Sequence, residues 1–366
     1  MDTALQHLLE RVRAAAADAT PLRLCGGGSK DFHGLAPQGT PLELRPLRGI
    51  LSYEPTELVV TARAGTPLPE LEAALAEAGQ ALAFEPPHFA LGDKCPTVGG
   101  MVAAGWSGPA RASVGAVRDF VLGVEIINGR GELLRYGGQV MKNVAGYDVS
   151  RLMAGSWGTL GVITEVSLKV LPQAPAQATL VFAMDEAQAL DALNRWGGQP
   201  LPLNASGWAQ GQLWLRLRGA QAAVQAACQK LGGERLPDDQ ADALWHSLRE
   251  QQHPWFAGRG DADALWRLSV PQTAAPLPLP AGVAAPLIEW HGAQRWVQAP
   301  RAMAKAIAAA AQAAGGSATI FRAASADETS NWPIFDPQSA SLKAVHAQLK
   351  RAFDPHGIFN PGRTGL

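Results

Sequence analysis

The sequence predicts an α+β fold made of two domains and a returning tail. Strands alternating with glycine-rich segments fill the first 172 residues, and two successive α/β sets follow them. The last dozen residues hold turn formers at a density that implies docking rather than a frayed end.

At 366 residues, 47% hydrophobic and 17% charged, the chain can bury more than one domain's core. The formal net charge is -1 and no Lys/Arg block occurs, so composition excludes the electrostatic footprint of a nucleic-acid or anionic-membrane binder. Cys25, Cys95 and Cys228 stand singly and far apart. That excludes a disulfide framework, a local Cys-x-x-Cys metal site, and an iron–sulfur cluster held by four thiolates of this chain alone. The apolar stretch around Ala306 to Ala314 is too short to span a bilayer and is broken by Gln312. Met1 to Thr20 lacks the unbroken apolar run of a signal peptide, so the expected location is cytoplasmic, with membrane contact only through partners.

In chain order, Met1 to Thr20 reads as an Ala-rich amphipathic helix, and Leu22 to Leu24 as a short strand running into Gly26-Gly27-Gly28-Ser29-Lys30. Leu58 to Ala64 is a strand. Thr66 is the expected N-cap of the next helix and Pro67 its first residue; Leu68, Leu71 and Leu75 form its buried stripe, and Gly79 ends it. Phe84 to Gly115 shows little periodicity and reads as a long loop that a ligand fills. Val121 to Ile127 and Glu132 to Tyr136 form a hairpin about Asn128-Gly129. Val162, Thr164, Val166, Leu168 and Val170 share one face of a further strand.

Pro172 to Gln177 marks a boundary, which places the domains at 1–172 and 173–340, with 341–366 packing back on the first. Strands at Ala178 to Phe182 and Gln212 to Arg218 alternate with helices at Glu186 to Trp196 and Ala220 to Leu231. A comparable set follows: strands near Leu287 to Trp290 and Arg295 to Gln298, a helix over Arg301 to Ala314, and a strand over Ser317 to Arg322. Two such sets suggest a ferredoxin-like or related cap, with Pro271 to Pro286 as a surface linker.

Three glycine-rich elements carry the chemistry. Cys25 to Lys30 fits neither the Walker A spacing nor Gly-x-Gly-x-x-Gly, yet its small residues let successive amides converge on an anion. Thr97-Val98-Gly99-Gly100-Met101-Val102-Ala103-Ala104-Gly105, continuing through Gly108 and Arg111 to Gly115, permits close backbone approach to a flat, extended ligand. The third runs from Lys142-Asn143-Val144-Ala145-Gly146-Tyr147-Asp148 to Gly155-Ser156-Trp157-Gly158-Thr159-Leu160-Gly161-Val162-Ile163, where glycines punctuate the entry to a strand.

In this order, with the Ala64-Gly65-Thr66 helix start and the terminal Asn360-Pro361-Gly362-Arg363, the chain resembles the FAD-binding family of the vanillyl-alcohol oxidase, or PCMH, type. The likeness covers residues 20 to 172 and the last dozen, and the middle third only in outline. Within it the chain is similar to the FAD-binding E subunits of bacterial glycolate oxidases, which oxidise glycolate to glyoxylate.

The resemblance implies a two-subdomain PCMH-type FAD-binding domain, a ferredoxin-like cap, and a C-terminal tail that returns to the first domain. It implies FAD, with Gly26, Gly27, Gly28 and Ser29 receiving the pyrophosphate; covalent attachment through His or Cys also occurs in the family, but no residue matches the usual attachment motif, so the FAD is expected to be noncovalent. Thr97, Gly99, Gly100, Ala103, Ala104, Gly105 and Gly108 would line the cofactor, Gly161, Val162 and Ile163 would complete that wall, and Asn360 would close it. Cys25 stands where family members often carry Arg, so one supporting charge is missing there. The implied partners are a catalytic sister flavoprotein and an iron–sulfur subunit that passes electrons toward quinone, with a 2-hydroxy acid as substrate.

No catalytic base is legible. The eight His residues, at 7, 33, 88, 246, 253, 291, 346 and 356, include no pair at the i, i+4 spacing of a helical metal site, and there is no His-Gly-Asp-Gly segment. No metal site is expected. His88, in the cofactor-lining region, and His291, in an expected cap strand, are the two that could face substrate. Three readings stay open: a flavin subunit of a complex, an independent FAD oxidase or dehydrogenase of another alcohol or hydroxy acid, and a structural subunit with a vestigial pocket.

Overall fold

The structure is a computed structural model that describes residues 2–36, 38–138, 147–324 and 338–364; residues 142–146 of the third glycine-rich element lie outside them. The chain divides into two compact units. One comprises Met1–Ser107, Ala116–Gln173 and Pro337–Leu366, the other Gly108–Gly115 and Ala174–Asp336.

The first unit begins with helix α1 (Thr3–Asp18), N-capped by Asp2, whose side chain accepts from the Ala4 amide. Its stripe of Leu5, Leu8, Leu9, Val12 and Ala15 recurs at helical spacing and packs with Leu22, Leu42, Ile358 and Phe359 into one apolar cluster. Strand β1 (Leu22–Cys25) pairs in parallel with β2 (Thr40–Glu43). The C-terminal segment lies along the other edge of β1, through a parallel bridge between Leu22 and Phe359.

Next come β3 (Ile50–Glu54), β4 (Val59–Arg63) and helix α2 (Leu68–Glu77), with Leu68, Leu71 and Leu75 buried as the spacing predicts. The expected N-cap is displaced by one residue: Pro67 holds that position, and Thr66 Oγ1 instead accepts from the Gly49 amide. After β5 (Gln80–Ala81), the segment expected to be a long, ligand-filled loop contains helix α3 (Val98–Ala104), N-capped by Thr97. Its glycines and alanines carry no apolar period, but they let it approach other backbone closely.

One-turn helices α4 (Arg111–Val114) and α5 (Val117–Phe120) precede the hairpin of β6 (Val121–Ile127) and β7 (Leu133–Gly137). Helix α6 (Val149–Leu152), β8 (Val162–Lys169) and β9 (Leu171–Pro172) complete this stretch. The main sheet is antiparallel, in the order β3-β4-β8-β6-β7. Every residue of β6 is buried, Glu125 among them, so the strand does not alternate between core and solvent.

The second unit is one eight-stranded sheet that repeats a single topology. Its first half is β10 (Ala176–Ala183), helix α7 (Glu186–Gly197), β11 (Leu203–Ala209), β12 (Gln212–Gly219), helix α8 (Gln221–Leu231) and β13 (Glu234–Leu236). The strand order β13-β10-β12-β11 is that of a ferredoxin-like βαββαβ unit.

Helices α9 (Asp238–Arg249) and α10 (Pro254–Ala257) lead into β14 (Asp263–Ser269), β15 (Leu287–Glu289), β16 (Gln294–Pro300), helix α11 (Ala304–Ala313) and β17 (Ser317–Arg322). The order β15-β16-β14-β17 repeats the same topology, with the proline-rich 271–286 segment in place of the first crossover helix. The halves join through the β11–β15 pair. Sequence reading passes over β11 and β14, since Leu-Asn-Ala-Ser-Gly-Trp-Ala lacks β-branched residues and period-2 alternation; β11 is buried by its place between β12 and β15. The 14-residue helix α12 (Ala340–Phe353) belongs to the first unit.

Candidate functional site

A cleft of about 820 Å³, open to solvent, lies in the first unit and is walled mostly by backbone of small residues. Its first wall begins where β1 ends. Gly26, Gly27, Gly28 and Ser29 line the cleft, and the chain reverses at Gly28 (φ 71°), with the Asp31 amide donating to the Gly28 carbonyl. A Cβ on Gly27 would stand 1.4 Å from the Cys95 carbonyl oxygen, so this crossing of two backbones admits only glycine.

The second wall is the start of α3. The Thr97 hydroxyl accepts from the Gly100 amide at 3.2 Å, and Thr97, Gly99, Gly100 and Ala103 all face the cleft. A Cβ on Gly99 would lie 2.6 Å from the Ala64 Cβ. Glycine there lets α3 seat against the end of β4.

The third wall is Trp157, Gly158, Gly161 and Ile163. Trp157 adopts a left-handed φ of 52° and its amide donates to the Ala103 carbonyl at 2.9 Å, tying this wall to the second. Asn360 ties it to the first: its Oδ1 accepts from the Leu24 amide at 2.8 Å, and its Nδ2 donates to the Trp157 carbonyl at 2.8 Å. Arg363 donates from Nη1 to the Leu35 carbonyl at 2.7 Å and lies 5.3 Å from the Trp157 ring centroid. Burial holds its guanidinium below the usual arginine range, and Asp31 opposes that shift.

Of the residues singled out from sequence, the cleft brings together Gly26, Gly27, Gly28, Ser29, Thr97, Gly99, Gly100, Ala103, Gly161, Ile163 and Asn360. Ala104, Gly105, Gly108 and Val162 are not among the lining residues. Val162 is fully buried in the α1 cluster, since neighbours on a strand face opposite ways. Gly105 ends α3 in a left-handed conformation (φ 67°), and Gly108 belongs to the second unit, where its carbonyl accepts from Trp290 Nε1.

Sequence reasoning passed over Leu24, Lys30, Asp31, Leu44, Ala64, Trp157, Gly158 and Arg363 as lining residues. Lys30, Trp157, Gly158 and Arg363 directly adjoin or lie within the singled-out motifs, a signal that could have found them. Leu44 carries none.

His88 Nε2 lies 2.8 Å from Glu72 Oε2, and His88 is not itself a lining residue. His291 sits not in a strand but in the turn after β15, with left-handed φ of 55°; its Nε2 is 3.0 Å from Ser113 Oγ and burial pushes its pKa down to about 4. His33 is buried and stacks on Trp157 at 5.0 Å between centroids. Burial pushes the Cys25 thiol up. Among the described residues no group of three or more His, Cys, Asp or Glu is placed to hold a metal ion. Among them, too, no helix is long and apolar enough to cross a membrane.

The family model described as "FAD binding domain" matches residues 3–137. Over 358 residues, 98% of this chain and 96% of the relative, the sequence is 48% identical to glycolate oxidase subunit GlcE of Escherichia coli. The chain belongs to the GlcE family. Its likeness to glycolate oxidase subunit GlcD of Bacillus subtilis is partial, 32% identity over 45% of this chain and 33% of the relative. Among solved structures, 4-ethylphenol oxidase from Gulosibacter chungangensis aligns with TM-score 0.68 over 99% of this chain and 88% of its own at 15% identity. An alkyldihydroxyacetonephosphate synthase aligns with TM-score 0.65 over 97% and 74%, also at 15% identity. At those identities the structures establish the PCMH-type fold.

The cofactor of a GlcE-family chain is FAD, and the residues present fit it. Gly26, Gly27 and Gly28 offer backbone amides for which no acceptor is found among the described residues, and no side chain of theirs intervenes. Converging amides of this kind suit a diphosphate. The glycine- and alanine-rich walls leave room for a long, flat molecule.

Proposed function

We propose that this chain is the FAD-binding subunit of a complex that oxidises glycolate to glyoxylate, and that it turns over only with its partners. The observation that carries the reading is near full-length likeness to a glycolate oxidase subunit, joined to a cleft whose glycine walls suit FAD. The amides of Gly26 to Ser29 would hold the diphosphate. Thr97, Gly99, Gly100 and Ala103 would flank the cofactor from α3, Gly161 and Ile163 from β8, and Asn360 would keep the first and third walls together.

Oxidation of glycolate removes two electrons and two protons from a CH–OH group, and the flavin supplies the electron acceptor. The chain's own residues bind and orient that group. His88 is paired with Glu72 and His291 has its proton affinity suppressed, so neither is assigned as the base. The three separated cysteines favour an iron–sulfur centre on another subunit, with electrons passing from there toward quinone. A sister flavoprotein would complete the substrate site, and contact with the membrane would come through these partners.

Anaerobic glycolate addition, followed by flavin absorbance, tests this. The isolated chain should carry FAD and keep its colour, and bleaching should begin when the sister flavoprotein and iron–sulfur subunit are added. Bleaching of the isolated chain would instead establish an independent dehydrogenase, and a colourless protein would establish a vestigial pocket. The flavin should leave with the supernatant on acid precipitation, as noncovalent attachment requires.

A further inference from the structure

We propose that the second unit holds a binding site for a small 2-hydroxycarboxylate, in which Arg267 receives the carboxylate and Glu289 the hydroxyl. The site lies outside the cofactor cleft, and the choice of glycolate as its ligand rests on the proposed function. Strand register builds it. Arg267 of β14 stands opposite Trp296 of β16, and Glu289 of β15 opposite Gln294 of β16, so the four side chains share one face of the sheet. The other face carries Trp266, Leu268 and Val297, which pack with Ile307 and Ala311 of α11.

The four polar side chains form one network. Arg267 Nε donates to Gln294 Oε1 at 2.8 Å, Gln294 Nε2 donates to Glu289 Oε2 at 3.0 Å, and Trp296 Nε1 donates to the same oxygen at 2.5 Å. The Arg267 guanidinium lies 5.1 Å from the centroid of Trp290, whose ring is held by donation from Nε1 to the Gly108 carbonyl. Among the described residues, no acceptor is found for either terminal nitrogen of Arg267, and no carboxylate lies within ion-pair distance of it. Burial and the like charge of Arg111 draw Arg267 down to about 10, which leaves it charged at neutral pH, and Glu289 opposes the shift. Glu289 is a weak counter-charge, because its own burial raises it to about 7.

A sheltered guanidinium in this state lacks an anion. A planar carboxylate matches its two-pronged fork. Glu289 Oε1 likewise has no hydrogen-bond partner among the described residues and can accept from an alcohol. Neither that oxygen nor the terminal nitrogens of Arg267 are among the unpartnered polar atoms sealed from solvent, so a small ligand can reach them. Both groups bond to the one Gln294 amide, near enough for a two-carbon acid to meet both. Phosphate suits the site less, since its second charge would face Glu289.

The test is calorimetric titration of the full chain with glycolate, acetate, ethylene glycol and inorganic phosphate, for wild type, Arg267→Gln and Arg267→Lys. Wild type should bind glycolate more tightly than acetate, which lacks the hydroxyl, and should not bind ethylene glycol, which lacks the carboxylate. Arg267→Gln should weaken glycolate binding about ten- to hundred-fold. Arg267→Lys should recover part of it, because it returns the charge without the fork. Glycolate should also shield Arg267 from phenylglyoxal, read by peptide mass mapping.

A wild type that binds no glycolate, or binds phosphate or ethylene glycol as tightly, overturns the proposal, as does unchanged glycolate affinity in Arg267→Gln. Should Arg267→Gln fail to fold by circular dichroism, the mapping of wild type decides: shielding of Arg267 supports the site and unaltered labelling overturns it. Glycolate held at Arg267 beside an assembled complex whose flavin never bleaches defeats the proposed function alone. A complex that bleaches with glycolate while Arg267 binds none defeats this inference alone.

Discussion

At Gly27, chemistry meets geometry within a single residue. An added Cβ would stand 1.4 Å from the Cys95 oxygen and 2.5 Å from its carbonyl carbon, so Gly27→Ala must push apart the backbones that cross at the cleft's edge. The displacement costs about 1–3 kcal/mol, and the loop amides lose their alignment. Purified Gly27→Ala should therefore show a sharply reduced flavin-to-protein absorbance ratio while remaining folded. Asn360 acts through hydrogen bonds instead. Asn360→Ala leaves the Leu24 amide and the Trp157 carbonyl unpaired and should lower stability by about 1–3 kcal/mol in urea titration.

At the scale of an element, the end of β15 and the turn that follows it carry two opposed titrations. Burial raises Glu289 from 4.5 to about 7, although hydrogen bonds from Trp296 and Gln294 oppose the shift. The folded state therefore holds a proton that the unfolded state has released, and Glu289 makes stability fall as pH rises from 4.5 toward 7. His291 does the reverse. Burial lowers it from 6.5 to about 4, so the unfolded state binds the extra proton and stability falls as pH drops from 6.5 toward 4.

Between those limits the two nearly cancel. Relative to wild type, Glu289→Gln should gain stability as pH rises across this window, whereas His291→Asn, which tolerates the left-handed backbone, should lose it. Denaturant melts at stepped pH read both slopes, and slopes of the same sign would reject the assignment. The turn after α12 rests on Asp354, which is buried, accepts from the Ile358 and Phe359 amides, and pairs with Lys350 at 2.6 Å. Asp354→Ala should cost about 3 kcal/mol, measured in the same assay.

At the scale of the whole molecule, a ligand that binds only the folded state adds stability by mass action. FAD at a hundredfold excess over its dissociation constant contributes about 2.7 kcal/mol. Stripping the flavin should lower the melting temperature, and adding FAD should restore it in a concentration-dependent way. Riboflavin should restore less, because it lacks the diphosphate and adenosine.

The sequence by itself determined what is local: the three glycine-rich elements and their order, the stripes of α1 and α2, the hairpin about Asn128, and the presence of two α/β sets. Glycine permissiveness and hydrophobic period are properties of neighbouring residues, so they read directly. The helical state of Val98–Ala104 did not read, because glycine and alanine hide a period that only contact with Ala64 reveals. Strand β11 likewise depends on neighbours in the sheet.

Only the tertiary structure decided which glycines share a cleft, that Val162 faces the core while Gly161 and Ile163 line the cleft, and that Lys30 and Arg363 lie among its lining residues. The closing contact joins Leu24 to Asn360, 336 residues apart. A hydrogen bond over that separation is made by the packing of β1 against the returning tail, and no window of sequence contains both partners.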